Sequence, residues 1–322
     1  MENDLRNYMF SCLTFLPDFK SHPVCFAGTE HTLLVSKDGG ENWQDALASL
    51  GSTEPVAITS VLSVPQPDQP PLLIAGIVGG FLRSQDGGQT WQAISSGSPP
   101  PVITALAAPP LVRGGANLYA GSADDGIFVS QDGGNKWVRW NFGLLDWHIF
   151  SIAVLPRTGG ATSGATSSGA GGGQDVLVAG TESGIFRSTN NGRAWREVDF
   201  PDDVGAVLSL GVSSTSQQTV IYAGSETGAL FCSQDGGFTW THIASGIFKS
   251  EISVLVASGN SVLAASHEQL MVSHDCGSTW KAWNTTEQVT GSILSIAAPQ
   301  GLDSGQPVLV GTNGNIYLVY EE

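Results

Sequence analysis

The sequence predicts an all-β protein, a seven-bladed β-propeller, and an internal repeat carries that prediction. The pattern Ser-x-Asp/Asn-x-Gly-x-x-Trp occurs six times, each time at the end of an apolar run, with copies that begin at Ser36, Ser84, Ser130, Ser188, Ser233 and Ser273. Between the copies lie short runs of Val, Ile and Leu bounded by Gly, Pro and Ser, which are typical of strands. Four such strands in a repeat of roughly 40–50 residues are typical of a propeller blade.

Each copy of the pattern predicts a turn between the third and fourth strands of its blade. The side-chain oxygen accepts backbone N–H groups, and glycine tolerates a positive φ. Asn191 and Cys276 replace the first glycine, whereas the second never varies, so we expect the left-handed backbone at the second position. We expect a structural and not a catalytic role for the repeated acids or amide and for the repeated tryptophans, namely Asp38, Asp86, Asp132, Asn190, Asp235, Asp275, Trp43, Trp91, Trp137, Trp195, Trp240 and Trp280.

Taken in order, the repeats predict one domain over residues 1–322, with seven first strands at Met9–Pro17, Val56–Pro65, Val102–Pro109, Ile149–Pro156, Val204–Val212, Glu251–Ala257 and Ser292–Pro299. The blades then cover about residues 9–48, 55–96, 102–142, 148–200, 204–246, 251–286 and 291–322. The seventh stops before any turn pattern. Either Glu2–Tyr8 supplies its fourth strand from the other end of the chain, or the last blade has three strands. The segment 158–174, rich in Gly, Ser, Ala and Thr, predicts a flexible surface insertion.

Composition limits the possible partners and the compartment. The formal net charge of −16, from 13 basic and 29 acidic residues, argues against binding to nucleic acid or to an anionic membrane. No apolar run reaches the ~18 residues of a membrane span, and the N-terminal run is too short for a signal peptide, so we expect a cytoplasmic protein. Cys12, Cys25, Cys232 and Cys276 form no CxxC pair, which favours free thiols and leaves a Cys12–Cys25 bridge as the alternative.

The six patterns, one per blade, resemble the Asp box of the BNR repeat propellers. This group includes sialidases, xyloglucan-type glycoside hydrolases, sortilin-like receptors and the photosystem II assembly and stability factors, and the last are the most similar in size. The resemblance implies that the Asp boxes lie on one face of the ring. Functional sites of the family lie on the opposite face, at second-to-third turns and at the crossings between blades. Because the members differ widely in function, the resemblance predicts a fold and not an activity.

An enzyme of this family would need particular residues on that opposite face. A sialidase needs three converging arginines, and none of the eight arginines is predicted in a loop there. A glycosidase needs two carboxyl groups flanking the scissile bond, and the face has so many acids that a suitable pair is expected by chance. His31, His148 and His267 lie there in separate blades without metal-ligand spacing, so no metal and no cofactor is expected. A glycan-binding or glycan-cleaving, sialidase-like propeller is therefore the alternative and not the preferred function.

The preferred hypothesis is a non-enzymatic, monomeric interaction or assembly scaffold for a protein partner with a basic surface. Acids recur at the second-to-third turns and form a predicted acidic rim made of Glu30, Asp124, Asp125, Glu182, Glu226 and Glu268. The stretch 137–150 is rich in large apolar residues and contains Trp147 and His148. Its side chains either fill the space between blades three and four or form an exposed patch that binds the partner. Trp147 and His148 complete the predicted binding site.

Overall fold

The computed structural model describes residues 5, 8–51, 54–109, 117–155, 174–216, 218–244, 246–284 and 288–321. Their strands form seven antiparallel sheets, in each of which the spatial order of the strands follows the chain. Six sheets have four strands and the last has three. The first strands contact one another from sheet to sheet around a closed ring. The fold is therefore the predicted all-β, seven-bladed propeller.

The strands are named by blade and by position within the blade. The first strands are Cys12–Phe15, Ile58–Gln66, Ile103–Ala107, Ile149–Leu155, Val207–Ser214, Val254–Ser258 and Ile293–Ala297. The second strands are Cys25–Gly28, Gln69–Ile77, Leu118–Ser122, Val176–Thr181, Thr219–Ser225, Ser261–Ala265 and Val308–Thr312. The third strands are Leu33–Ser36, Gly80–Ser84, Ile127–Ser130, Gly184–Ser188, Leu230–Ser233, Leu270–Ser273 and Ile316–Val319. The fourth strands are Gln44–Asp45, Gln92–Ile94, Val138–Arg139, Arg196–Glu197, Thr241–Ala244 and Lys281–Ala282. Two short 3₁₀ turns, Ala48–Leu50 and Asp202–Val204, lie in crossings between blades.

Burial explains the apolar character of the second strands. Leu118–Ser122 is buried at every residue because both faces of the strand lie against neighbouring blades. A strand that is buried on both faces has a continuous apolar sequence, and its apolar and polar residues do not alternate. The fourth strands, such as Val138–Arg139, are exposed and short. Each blade therefore contributes its middle strands to the cores between blades.

The glycine at or next to the end of most second strands has a packing role. A Cβ added at Gly76 would lie 2.5 Å from Cγ2 of Ile103, and one added at Gly121 would lie 2.5 Å from Cγ2 of Ile149. Both isoleucines begin the first strand of the next blade. The Ala-Gly pairs of the sequence are therefore contact points where adjacent blades approach too closely for a side chain.

The start of the chain closes the ring against the last blade. The backbone N–H of Phe10 donates to the carbonyl of Thr312, and Ser295 Oγ donates to the carbonyl of Phe10. Met9 forms a bridge with Asn313. In the described part of the chain the seventh sheet has three strands. Of the segment Glu2–Tyr8, only Leu5 and Tyr8 are described, and both pack against the core between blades one and seven. The rest of that segment, like residues 158–173 of the predicted insertion, lies outside the described residues.

The register of blade one excludes the alternative disulfide. Cys12 pairs with Gly28, whereas Cys25 pairs with Phe15. The two cysteines therefore lie at opposite ends of the strand pair, three residues apart in register, or roughly 10 Å at the rise of a strand. A disulfide needs Cα atoms within about 7 Å of each other. All four cysteines are free thiols.

The six Asp boxes share one set of hydrogen bonds, illustrated by the first copy. Ser36 Oγ donates to Asp38 Oδ1 at 2.7 Å, and it accepts the backbone N–H of Gly40 at 2.8 Å. Asp38 Oδ1 also accepts the backbone N–H of Asn42 at 2.9 Å. Asn190 makes the same bonds through its amide oxygen in the fourth copy. The box therefore uses its acid to hold a turn, and the tryptophan that follows packs into a core between blades.

The prediction that only the second box glycine has a left-handed backbone is wrong. Both positions have a positive φ, and Asn191 and Cys276 adopt it at the first position with φ of 62° and 57°. What distinguishes the second glycine is contact with the preceding blade. A Cβ added at Gly88 would lie 2.4 Å from Phe26 Cζ, and one at Gly134 would lie 2.5 Å from Ile74 Cδ1. In five of the six boxes the second position combines left-handed backbone with such a close approach, so only glycine fits there; at Gly192 the nearest atom to an added Cβ is 3.5 Å away.

Candidate functional site

The candidate site lies at the crossing from blade three to blade four, residues 140–148, which we call the 3–4 crossing. It lies on the face opposite the Asp boxes, where the second-to-third turns of the two blades flank it. Trp147 donates from Nε1 to the carbonyl of Leu144 at 3.1 Å, which curls the crossing back on itself. The carbonyl of Trp147 accepts the N–H of Gly126, in the turn of blade three. These bonds hold the crossing between the two turns.

The apolar residues of the crossing divide between the two roles considered for them. Leu144 is buried, and Trp140 packs beside it in the core between blades three and four. Three others remain exposed, with 80% of Phe142, 78% of Leu145 and 47% of Trp147 accessible, and 40% of Phe150, in the strand that follows, is accessible as well. The stretch therefore both fills the space between two blades and presents apolar side chains to solvent.

Three acids surround His148 beside these apolar side chains. Its Nε2 lies 3.1 Å from Asp124 Oδ1, in the turn of blade three. Its Nδ1 lies 3.2 Å from Glu182 Oε2, in the turn of blade four, and 3.5 Å from Asp146 Oδ1 within the crossing. An open cavity of about 560 Å³, the crossing pocket, is lined by Asp124, Leu145, Asp146, Trp147, His148, Glu182 and Ser183.

Asp146 is the fixed member of the pocket. Its Oδ1 accepts the N–H of His148 at 3.0 Å, and its Oδ2 accepts the N–H of Ser183 at 2.7 Å. Partial burial disfavours its charge, but these backbone hydrogen bonds outweigh burial and lower the pKa of Asp146. Only 11% of its side chain is exposed, against 79% for Asp124 and 67% for Glu182. Asp146 is therefore ionised at neutral pH and is held in a defined position.

The other acids of the rim lie in different surroundings. Asp125 forms an ion pair with Arg139 Nη1 at 2.7 Å, so its charge is neutralised. Glu30 accepts the N–H of Met9 at 2.8 Å and lies 3.6 Å from His31 Nε2. Glu226 accepts the N–H of Ala206 at 3.3 Å, and Glu268 has an exposed side chain. Of the rim, only Asp124 and Glu182 meet at the crossing pocket, together with the predicted Trp147 and His148.

Asp146 was missing from the residues predicted for this site. An Asp two residues before His148 forms a turn in which the carboxylate accepts the histidine N–H, and this local pattern is readable in the sequence. Its second bond, to Ser183 in blade four, depends on the packing of two blades and has no sequence signal.

None of the arginines that the structure describes lines the crossing pocket. Arg83 donates from Nε to the carbonyl of Gly133 at 2.7 Å, and Arg187 donates likewise to Gly236 at 2.6 Å. Both acceptors belong to the Asp box of the next blade, on the opposite face. Arg139 reaches the face of the pocket but is paired with Asp125. The Arg83 and Arg187 side chains thus link neighbouring blades.

Comparison with known proteins agrees with this geometry. The family model described as BNR/Asp-box repeat matches residues 82–93, the end of the third strand and the turn of blade two. The same hydrogen bonds recur in the other five boxes. The chain is a seven-bladed propeller of Asp-box repeats. None of the curated protein sequences compared with it matches.

Solved structures similar to this Asp-box propeller include both large and small proteins. One is the extracellular domain of a protein described as a one-component system from B. thetaiotaomicron, with a TM-score of 0.70, 18% identity, and coverage of 97% of this chain and 38% of that one. Another is the GH74 xyloglucanase from Xanthomonas campestris, with a TM-score of 0.70, 17% identity, and coverage of 97% of this chain and 52% of that one. A third is YCF48 bound to D1 peptide, with a TM-score of 0.69, 17% identity, and coverage of 98% of this chain and 94% of that one. The chain thus spans about half or less of the first two and nearly all of the third. At these identities the likeness shows the fold alone.

The helices bear on whether the chain could cross a membrane. No helix in the described part of the chain has the length and apolar character of one.

Proposed function

We propose that this Asp-box propeller is a non-enzymatic interaction scaffold, and that a protein partner with a basic, partly apolar segment docks at the crossing pocket. One observation carries the proposal: ionised Asp146, with Asp124 and Glu182 beside it, lies next to the exposed side chains of Leu145 and Trp147. A lysine or arginine of the partner would pair with the acids, and an adjacent apolar side chain would cover the tryptophan.

The charge of the whole protein supports the same partner. With 29 acidic and 13 basic residues, the surface attracts cations over long range, and the rest of the acidic rim adds to that field. Such a field raises association rates more than it raises affinity. We infer that the rim steers a basic partner and that the crossing pocket holds it. YCF48, which has a similar fold and size, is a propeller solved with a peptide bound.

Three observations favour binding over the alternative, glycan cleavage. A glycosidase general acid needs a raised pKa, whereas backbone hydrogen bonds lower the pKa of Asp146. His148 also lies between Asp146 and Glu182, where a glycosidic bond would have to enter. In addition, the xyloglucanase of similar fold is about twice as long as this chain.

A peptide titration tests the proposal. The probes are short fluorescent peptides that contain an Arg-Leu or Lys-Leu pair, with Glu-Leu peptides as the charge control, measured by anisotropy. We expect Glu182→Lys and Trp147→Ala each to weaken binding at least tenfold, and Glu268→Lys, an exposed rim acid of blade six, to act weakly and only at low salt. Equal effects of Glu182→Lys and Glu268→Lys, or no effect of Trp147→Ala, would refute docking at the crossing pocket.

A further inference from the structure

The ring of His148 lies between carboxylates on both of its nitrogen sides. Asp124 Oδ1 is 3.1 Å from Nε2, so a proton on Nε2 points at an acceptor. On the other side, Nδ1 faces Glu182 Oε2 at 3.2 Å and Asp146 Oδ1 at 3.5 Å. With Nε2 protonated, the Nδ1 lone pair points toward two negative oxygens. A cation placed between these three atoms would contact all of them.

The spacing of these three atoms fits a metal ion. Asp146, His148 and Glu182 each offer one ligand atom, and these atoms lie within 4.8 Å of one another. Zinc binds nitrogen and oxygen at about 2.0–2.2 Å in tetrahedral geometry, which places ligand atoms about 3.4 Å apart. The distances of 3.2 and 3.5 Å from Nδ1 match that value. In metal sites a carboxylate often accepts the ring N–H of the histidine that does not face the metal, and this bond fixes the tautomer. Asp124 is placed to do this for His148.

We propose that the crossing pocket binds a divalent transition metal such as Zn²⁺ through His148 Nδ1, Asp146 and Glu182, with Asp124 orienting the imidazole. The sequence-based expectation of no metal rested on the spacing of three histidines in separate blades. The site instead combines one histidine with acids of the crossing and of blade four. Three protein ligands leave the fourth position of the metal open toward solvent. A bound metal would occupy the carboxylates that a basic side chain would pair with, so the metal and the basic partner would compete for the pocket.

Calorimetric titration with Zn²⁺ alone, near neutral pH, tests the site, and the visible absorption of Co²⁺ reports its coordination. We expect one site in the wild-type protein, lost in His148→Ala and in Glu182→Gln, both of which change exposed side chains. Asp124→Asn should weaken binding about 10–100-fold, the usual cost of losing such an orienting carboxylate. The matched control is His267→Ala, because His267 Nδ1 faces a single carboxylate, Glu251, at 2.6 Å. This variant should keep the site.

Binding that is equal in the wild type, His148→Ala and His267→Ala would overturn the proposal, as would a wild-type protein that takes up no Zn²⁺. The titration contains no peptide, so its failure leaves docking of a basic partner untouched. Failure of the peptide titration likewise leaves the metal site untouched.

Discussion

Replacing the second glycine of an Asp box by alanine should lower the free energy of unfolding, and the loss should be larger where the preceding blade lies closer to that glycine. At Gly88, φ is +91° and an added Cβ would lie 2.4 Å from Phe26 Cζ. An L-residue in left-handed backbone costs about 1–2 kcal/mol, and overpacking a core costs about 1–3 kcal/mol. Gly88→Ala should therefore lower the free energy of unfolding by about 2–5 kcal/mol.

Two matched variants separate the backbone term from the packing term. Gly192 occupies the same slot in blade four with φ of +81°, but the nearest atom to an added Cβ, Tyr119 Cε1, is 3.5 Å away. Gly192→Ala should then cost only the backbone term, about 1–2 kcal/mol. Gly87, at the first position, has φ of +72° and its nearest atom at 3.9 Å. Gly87→Asn should be nearly neutral, since asparagine tolerates this backbone, as Asn191 does in blade four.

Urea unfolding followed by tryptophan fluorescence measures all three variants, and an unchanged m-value would confirm that native compactness is retained. Equal losses in Gly88→Ala and Gly192→Ala would refute the argument, because the two positions differ in the contact with the preceding blade and share the backbone conformation. A large loss in Gly87→Asn would refute the distinction between the two box positions.

Two further predictions concern the boxes. Trp91→Ala should lose about 3–5 kcal/mol, because Trp91 is buried against Phe26, whereas Asp86→Ala should lose about 1–2 kcal/mol of turn hydrogen bonds. Loss of peptide binding in Asp86→Ala with an unchanged melting curve would show that the box is not structural. Hydrogen bonds from Asn42 and Ser36 lower the pKa of Asp38 to about 2, below its value of about 3.9 in the unfolded chain. The stability from this shift is present above about pH 4 and is lost as the pH falls toward 2, so acid unfolding followed by fluorescence should be less steep in Asp38→Asn. An unchanged acid transition in that variant would contradict the assignment.

The sequence alone determined the blades and their turns, because the interactions that form them are local. Ser36, Asp38 and Gly40 bond within five residues, so the pattern that makes the turn is also the pattern visible in the chain. Strand runs, the six boxes and the absence of a seventh box were all readable in this way. The tryptophan slot was readable too, since a large apolar residue recurring at one position indicates a buried one.

The tertiary structure alone decided which acids meet. Asp124, Asp146 and Glu182 belong to a turn of blade three, a crossing and a turn of blade four, and their approach to His148 depends on how two sheets pack. The sequence assigned Asp124 and Asp125 to the same acidic rim. Their side chains point in different directions, however, and Asp125 forms an ion pair with Arg139. The contact that leaves no room for a side chain at position 88 likewise comes from Phe26, a residue of another blade. Long-range packing has no fixed spacing in the chain, which is why local patterns predicted the turns and not the pocket.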